Sequence, residues 1–230
     1  MNISLQEAIT ERHSVRKYKD KALEDNVIEV LQQAIETCNR DGNLRIQLVL
    51  DEPKGFSGIQ SYGAFSNVRN YLAMTGERAS DLEERIGYYG EQLVLLAQQL
   101  GLGTCWVGGP YRKVAGAYDL NDRDKLVCVI ALGYPDQPGR VHRSKTAEQV
   151  SNVSEQTPDW FHRGVTAALL APTAVNQQKF HFEYVAATND SLPTVKATRT
   201  FSLIGYTKLD LGIAKLHFEI GAGKDNFIWG

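Results

Sequence analysis

The chain reads as an α+β sandwich, and three observations carry that reading. Asp81–Leu100 sets Ile86, Tyr89, Leu93, Leu96, Ala97 and Leu100 on one helical stripe and stops at Gly101 and Gly103. Leu126–Leu132 is an unbroken apolar run, suited to a strand covered on both faces. A helix followed by a strand occurs early (25–37, then 45–50) and again late (159–170, then 180–186), which leaves an internal duplication of pattern open.

The remaining elements follow in chain order. Ser4 with Glu7 three residues on is a capping-box pattern, so a short helix carrying Leu5, Ala8 and Ile9 delivers the chain to Arg12–Arg16. Val27, Val30, Leu31 and Ala34 mark one face of a second helix. Arg45–Leu50 alternates as a strand, and residues 51–70, rich in glycine, read as a loop or flap. Gln137–Gln149 is a polar, basic connector. Thr157, Pro158 and Asp159 read as an N-cap, a proline at the first helical position and an acid in the first turn. Phe180, Phe182, Tyr184 and Ala186 alternate as a strand, and Leu209, Ile213, Leu216 and Ile220 fit a last helix.

Composition narrows the function classes. At 230 residues the chain suits one large domain or two small ones, with globular proportions of 43% hydrophobic and 23% charged residues. Twenty-five basic against 27 acidic residues gives −2, with no basic excess to favour nucleic acid or an anionic membrane. Cys38, Cys105 and Cys128 are too scattered for a disulfide framework or a zinc site and read as buried reduced thiols. His217 and Glu219 lack helical metal-ligand spacing, so no metal is expected. Met1–Arg12 shows no signal peptide, and the longest apolar run falls far short of the roughly 20 residues that span a bilayer. The expectation is a soluble cytoplasmic protein without membrane or nucleic-acid partners.

Three segments carry chemistry. Arg12-His13-Ser14-Val15-Arg16 offers two planar guanidinium forks and a hydroxyl that can converge on a phosphate; its plainer reading is a solvated basic turn. Gly101–Gly109 lets backbone approach a flat ligand, or simply makes a tight turn; its glycine spacing is not a dinucleotide fingerprint. Ala171–Phe180 presents Thr173, Asn176 and Gln178 after Pro172. Such amides suit a heterocycle edge, or cap their own backbone.

Taken in order, these segments resemble the nitroreductase family of flavin enzymes. The resemblance rests on Ile9–Tyr18, Gly87–Ala97, Gln99–Gly109 and Ile130–Pro135, which span most of residues 1–150. Typical members carry an Ala-Pro-Ser-x-x-Asn-x-Gln-Pro-Trp segment soon after the second helix. Here that place reads Glu36–Arg45 and lacks it, while a copy stands at Ala171–Phe180, with Lys179 and Phe180 in place of Pro-Trp. This resembles the branch in which a second half follows the first.

The resemblance implies a nitroreductase-like fold, a central mixed sheet flanked by helices in two pseudo-repeated halves, 1–150 and 151–230, together forming one unit. It implies a noncovalent FMN. Arg12, Ser14 and Arg16 would hold the phosphate and ribityl end with His13 nearby, and Arg143 and Lys145 would reach the phosphate. Gly108 and Gly109 would lie against the rings, and Pro172, Thr173, Asn176 and Gln178 would meet the isoalloxazine edge. NADH or NADPH would supply the hydride and a small-molecule acceptor, a nitroaromatic, quinone or similar compound, would take it; no side chain is assigned as catalytic. The alternatives are a flavin-binding protein without turnover, or another reaction on the same fold. The site is expected in a single-chain pseudo-dimer or a homodimer, and loss of Arg12 or Arg16 is expected to weaken FMN retention without unfolding the chain.

Overall fold

The structure, a computed structural model, describes residues 3–57, 65–109, 111–188 and 191–230. The chain divides into two compact units, one through Val141 and one from His142 to Gly230.

In the first unit the capping box forms: the Ser4 hydroxyl accepts the Glu7 N–H at 3.2 Å and Glu7 accepts the Ser4 N–H at 2.7 Å, which starts α1 (Leu5–Glu11). Helix α2 (Asp25–Gly42) runs a turn longer than its apolar stripe and ends on Asn43 in the left-handed region. Strand β1 (Gln47–Val49) is shorter than its alternation. Asn39 takes the place of a neighbouring strand beside it, accepting the Ile46 N–H at 2.7 Å and donating to the Ile46 carbonyl at 2.9 Å. The stretch read as a loop holds a 3₁₀ turn, Pro53–Phe56, and gives way at Asn70 to β2 (Asn70–Glu77); residues 58–64 of the expected flap lie outside the described residues.

Helix α3 (Leu82–Gln99) ends as its glycines foretell, with Gly101 at φ +75°. The following glycine run is a strand, β3 (Gly103–Val107), rather than a turn, and β4 (Asp124–Gly133) is the buried apolar strand. The four strands form an antiparallel sheet in the order β1-β2-β4-β3. Helix α3 covers one face, where Gly90 admits the Trp106 ring. Val49, Tyr71, Ala73, Cys105, Val107, Val129 and Ala131 line the other and pack with Val15, Tyr18, Phe56 and Val68. The residues after α1 run alongside β3: the Val15 N–H donates to the Thr104 carbonyl at 2.9 Å, and Ser14 bridges Thr104 in parallel.

In the second unit, the polar connector closes on a one-turn helix, α4 (Ala147–Val150). Helix α5 (Asp159–Ala168) starts where expected but is capped differently: Pro158 rather than Thr157 occupies the N-cap, and the Thr157 hydroxyl donates to the Ser154 carbonyl at 2.7 Å. Strand β5 (Phe180–Val185) pairs antiparallel with β6 (Thr194–Arg199), which pairs in parallel with β7 (Ile228–Trp229). The mixed sheet is therefore this small one. Helix α6 (Thr207–Ala222) packs on α5 and on the sheet. Phe182 stacks on Phe218 with centroids 4.7 Å apart, and Phe161 meets Phe218 edge-on at 5.6 Å, so the core of this unit is aromatic.

All three cysteines are buried and unbridged. Burial raises the Cys38 thiol to about 11 and pushes the other two up as well. Among the described residues no cluster of His, Cys, Asp and Glu suits a metal, and no helix is long and apolar enough to cross a membrane.

Candidate functional site

Arg12 caps the C-terminus of α1, its N–H donating to the Ala8 carbonyl at 2.9 Å, and the chain then leaves in an extended conformation. Along an extended run, side chains two apart share a face, which puts Arg12, Ser14 and Arg16 together. All three act on the Cys105 thiol: burial raises its pKa, while Arg16, Ser14 and Arg12 pull it the other way. Burial is graded along the row: Arg12 is buried, Ser14 half-buried and Arg16 exposed. Gly139 packs so closely on the other side that a side chain there would strike His13 and the Ser14 carbonyl.

The two arginines are not equivalent, contrary to expectation. The Arg12 side chain is 3% exposed and its Nε lies 3.8 Å from Oε1 of Glu91, which is fully buried on α3. The other Glu91 oxygen accepts the Trp106 indole N–H at 2.8 Å. Among the described residues Arg12 Nε has no hydrogen-bond partner. A buried cationic donor left unfilled is costly, and an ion or ligand that would accept from it is one physical explanation for its presence. Sequence reading missed Glu91 as a participant. The available signal was a carboxylate four residues before Leu95 and four after Gly87, both buried, on a face that should be apolar.

Gly108 and Gly109 follow β3, and a side chain at Gly109 would meet nothing within 4 Å, so backbone there is open to approach.

In the second unit Arg143, Lys145, Thr173, Asn176 and Gln178 do come together, but mostly to hold one another. Gln178 is 1% exposed. Its Oε1 accepts the Lys145 N–H at 2.8 Å, its Nε2 donates to the Leu169 carbonyl at 2.9 Å, and its own N–H donates to the Thr173 hydroxyl at 3.1 Å. Lys145 Nζ donates to the Gln178 carbonyl at 2.6 Å; burial, with Lys179 nearby, lowers its pKa. Asn176 is exposed and donates to the Arg143 carbonyl at 2.7 Å. Pro172 leads the chain from α5 into this loop. Val175, Asn176 and Gln178 all have positive φ, and buried Asp210 ties the loop down by accepting the Ala174 N–H and Gln177 Nε2–H at 3.0 and 2.7 Å. Burial pushes the Asp210 carboxyl up to about 6.

The sequence profile of the family described as "Putative TM nitroreductase" matches residues 4–222. The chain belongs to that nitroreductase family. A Thermotoga maritima protein described as a "putative nitroreductase" shares 21% identity and a TM-score of 0.70, over 98% of this chain and 86% of that one. A Desulfovibrio desulfuricans "putative nitroreductase in complex with FMN" shares 21% identity and a TM-score of 0.53, over 69% of this chain and all of its own. A Bacteroides thetaiotaomicron "putative NADH dehydrogenase/NAD(P)H nitroreductase" shares 20% identity and a TM-score of 0.51, over 68% of this chain and all of its own. No curated protein matches the chain. The nitroreductase fold is thus shared over nearly the whole chain, and the family makes it an oxidoreductase.

Proposed function

We infer that this nitroreductase binds FMN through the Arg12–Arg16 row and uses it to pass a hydride from NADH or NADPH to a small-molecule acceptor such as a nitroaromatic or a quinone. The observation that carries this reading is the buried, unfilled Nε of Arg12 beside Ser14 and Arg16, a donor set suited to one terminal phosphate. The Desulfovibrio relative with bound FMN supports the choice of flavin, and the Bacteroides relative's name supports the donor.

When bound, FMN supplies the hydride chemistry at its ring. Exposed Arg16 and the Ser14 hydroxyl would donate to its phosphate beside Arg12. Gly108 and Gly109 leave backbone room for the rings, and His13 lines the Gly139 side. In the second unit, exposed Arg143 and Asn176 keep polar groups toward solvent, whereas Lys145, Thr173 and Gln178 hold the loop in shape. Pro172 sets the loop's entry.

Cofactor released by heat and identified by mass should be FMN; FAD alone, or no flavin after reconstitution, sinks the reading. Anaerobic bleaching of the yellow protein by NADH or NADPH tests turnover, and its absence would leave a flavin-binding protein without turnover.

A further inference from the structure

We propose that Glu91 is the buried counter-ion that holds Arg12 in place and sets how strongly the Arg12–Arg16 row binds a phosphate. The inference rests on the FMN reading above. Glu91 and Arg12 are both shielded from solvent, so their attraction is little screened, yet at 3.8 Å they are too far apart for a hydrogen bond. The reason is visible on Glu91 itself. Its Oε2 is committed to the Trp106 indole, and Trp106 cannot retreat, since its ring fills the space against Gly90. The Arg12 main chain is fixed as well, because it caps α1 and the next residues are bonded to β3.

The pair is therefore Coulombic without being bonded. Charge is compensated, which makes a buried guanidinium tolerable without ligand, while the Nε donor stays unspent. Compensation has a consequence for ligands: a phosphate approaching the row feels Arg12 through the opposing field of Glu91. Glu91 is thus a positioning residue that limits phosphate affinity as it stabilises the free protein.

Glu91→Gln tests this, because the amide oxygen can still accept the Trp106 N–H while the charge is gone. Fluorescence titration of flavin-free protein should show FMN bound roughly 3- to 30-fold more tightly, from the removal of a like charge several ångströms away. Riboflavin, which has no phosphate, should bind unchanged. Unchanged or weaker FMN binding, or an equal change for both flavins, overturns the proposal, since loss of a merely structural residue does not tighten binding of the phosphorylated form alone. Trp106→Phe gives the opposite arm and does not depend on Glu91→Gln folding. It frees Oε2 to close on Arg12 and should weaken FMN several-fold relative to riboflavin; unchanged selectivity there also overturns the proposal. Should wild type bind no flavin, the functional reading fails, and inorganic phosphate then decides Glu91 separately. Phosphate should raise the melting temperature of Glu91→Gln more than that of wild type, and an equal rise overturns it.

Discussion

The Arg12–Arg16 row and the Thr173–Gln178 loop look alike as sequence, each a cluster of hydrogen-bonding side chains beside a helix end, but they differ in what those side chains have left to give. In the row, a cation is buried with one donor unfilled. In the loop, the buried amide is consumed at both ends, and a lysine is spent on a carbonyl. The lesson is that residue type alone does not tell a candidate site from a loop that satisfies itself, whereas the bonding capacity left over does separate these two. Amides elsewhere in the chain behave like Gln178: Gln47 clips both backbone groups of Asp119 across from it, accepting the N–H and donating to the carbonyl at 2.8 Å each, and Asn152 does the same to Tyr184.

The contrast is open to direct attack. The largest effect is expected from Arg12→Met, which removes the cation facing the buried Glu91 carboxylate and should cost about 3–5 kcal/mol in chemical denaturation; a loss under about 1 kcal/mol would show that the Arg12–Glu91 attraction contributes little to stability. Next comes pH. Asp210 is raised from its ordinary 3.8 to about 6 by burial, so the folded state holds the proton more tightly than the unfolded chain. Its contribution is fully present below about pH 4 and is lost as pH rises through about 6, roughly 2–3 kcal/mol in all. Subtracting the stability profile of Asp210→Asn from that of wild type should isolate this fall; a flat difference between pH 4 and 7 would show that the carboxyl is not perturbed.

Arg16→Ala is expected to weaken FMN about 10- to 150-fold, the value of a charge-assisted hydrogen bond, while leaving stability within about 0.5 kcal/mol because the side chain is exposed. Equal affinity for wild type and variant would assign the phosphate elsewhere. Gln178→Ala should do the reverse, destabilising by about 2 kcal/mol through the orphaned Lys145 N–H, with little change in FMN affinity measured on the folded protein. Strong loss of FMN without loss of stability would make the amide a ligand after all. The smallest effect is Val175→Gly. Val175 is 75% exposed with φ +45°, a conformation a β-branched side chain resists, so glycine should stabilise by about 1 kcal/mol. Destabilisation would show that this side chain is held for a contact of its own.

How much of this was legible in the chain depends on the range of the interaction. The capping box at Ser4 and Glu7, the α3 stripe with its glycine stop and the apolar β4 run are local or periodic, and the structure carries each of them. Strand β2 was not legible. Asn70–Glu77 is buried on both faces, so it shows no alternation, and its Leu-Ala-Met centre favours helix; pairing with β1 and β4 overrides that preference. The glycine run 101–109 was ambiguous for a related reason. Gly103 is needed because β3 presses against Val15, where an added Cβ would lie 2.6 Å from a methyl carbon, a requirement set by a residue 88 positions away.

The site divides along the same line. By itself the sequence determined the family and nominated the Arg12–Arg16 row and the Asn-x-Gln loop as candidates, because short spacings and residue chemistry are written in consecutive positions. Only the tertiary structure decided that Arg12 is buried against Glu91 while Arg16 is exposed, and that Gln178 is spent on Lys145 and Leu169. The physical reason is that desolvation and hydrogen-bond satisfaction belong to pairs of groups brought together by folding. Arg12 meets a carboxylate 79 residues along the chain, and no local pattern around either residue records the distance between them or the donor left over.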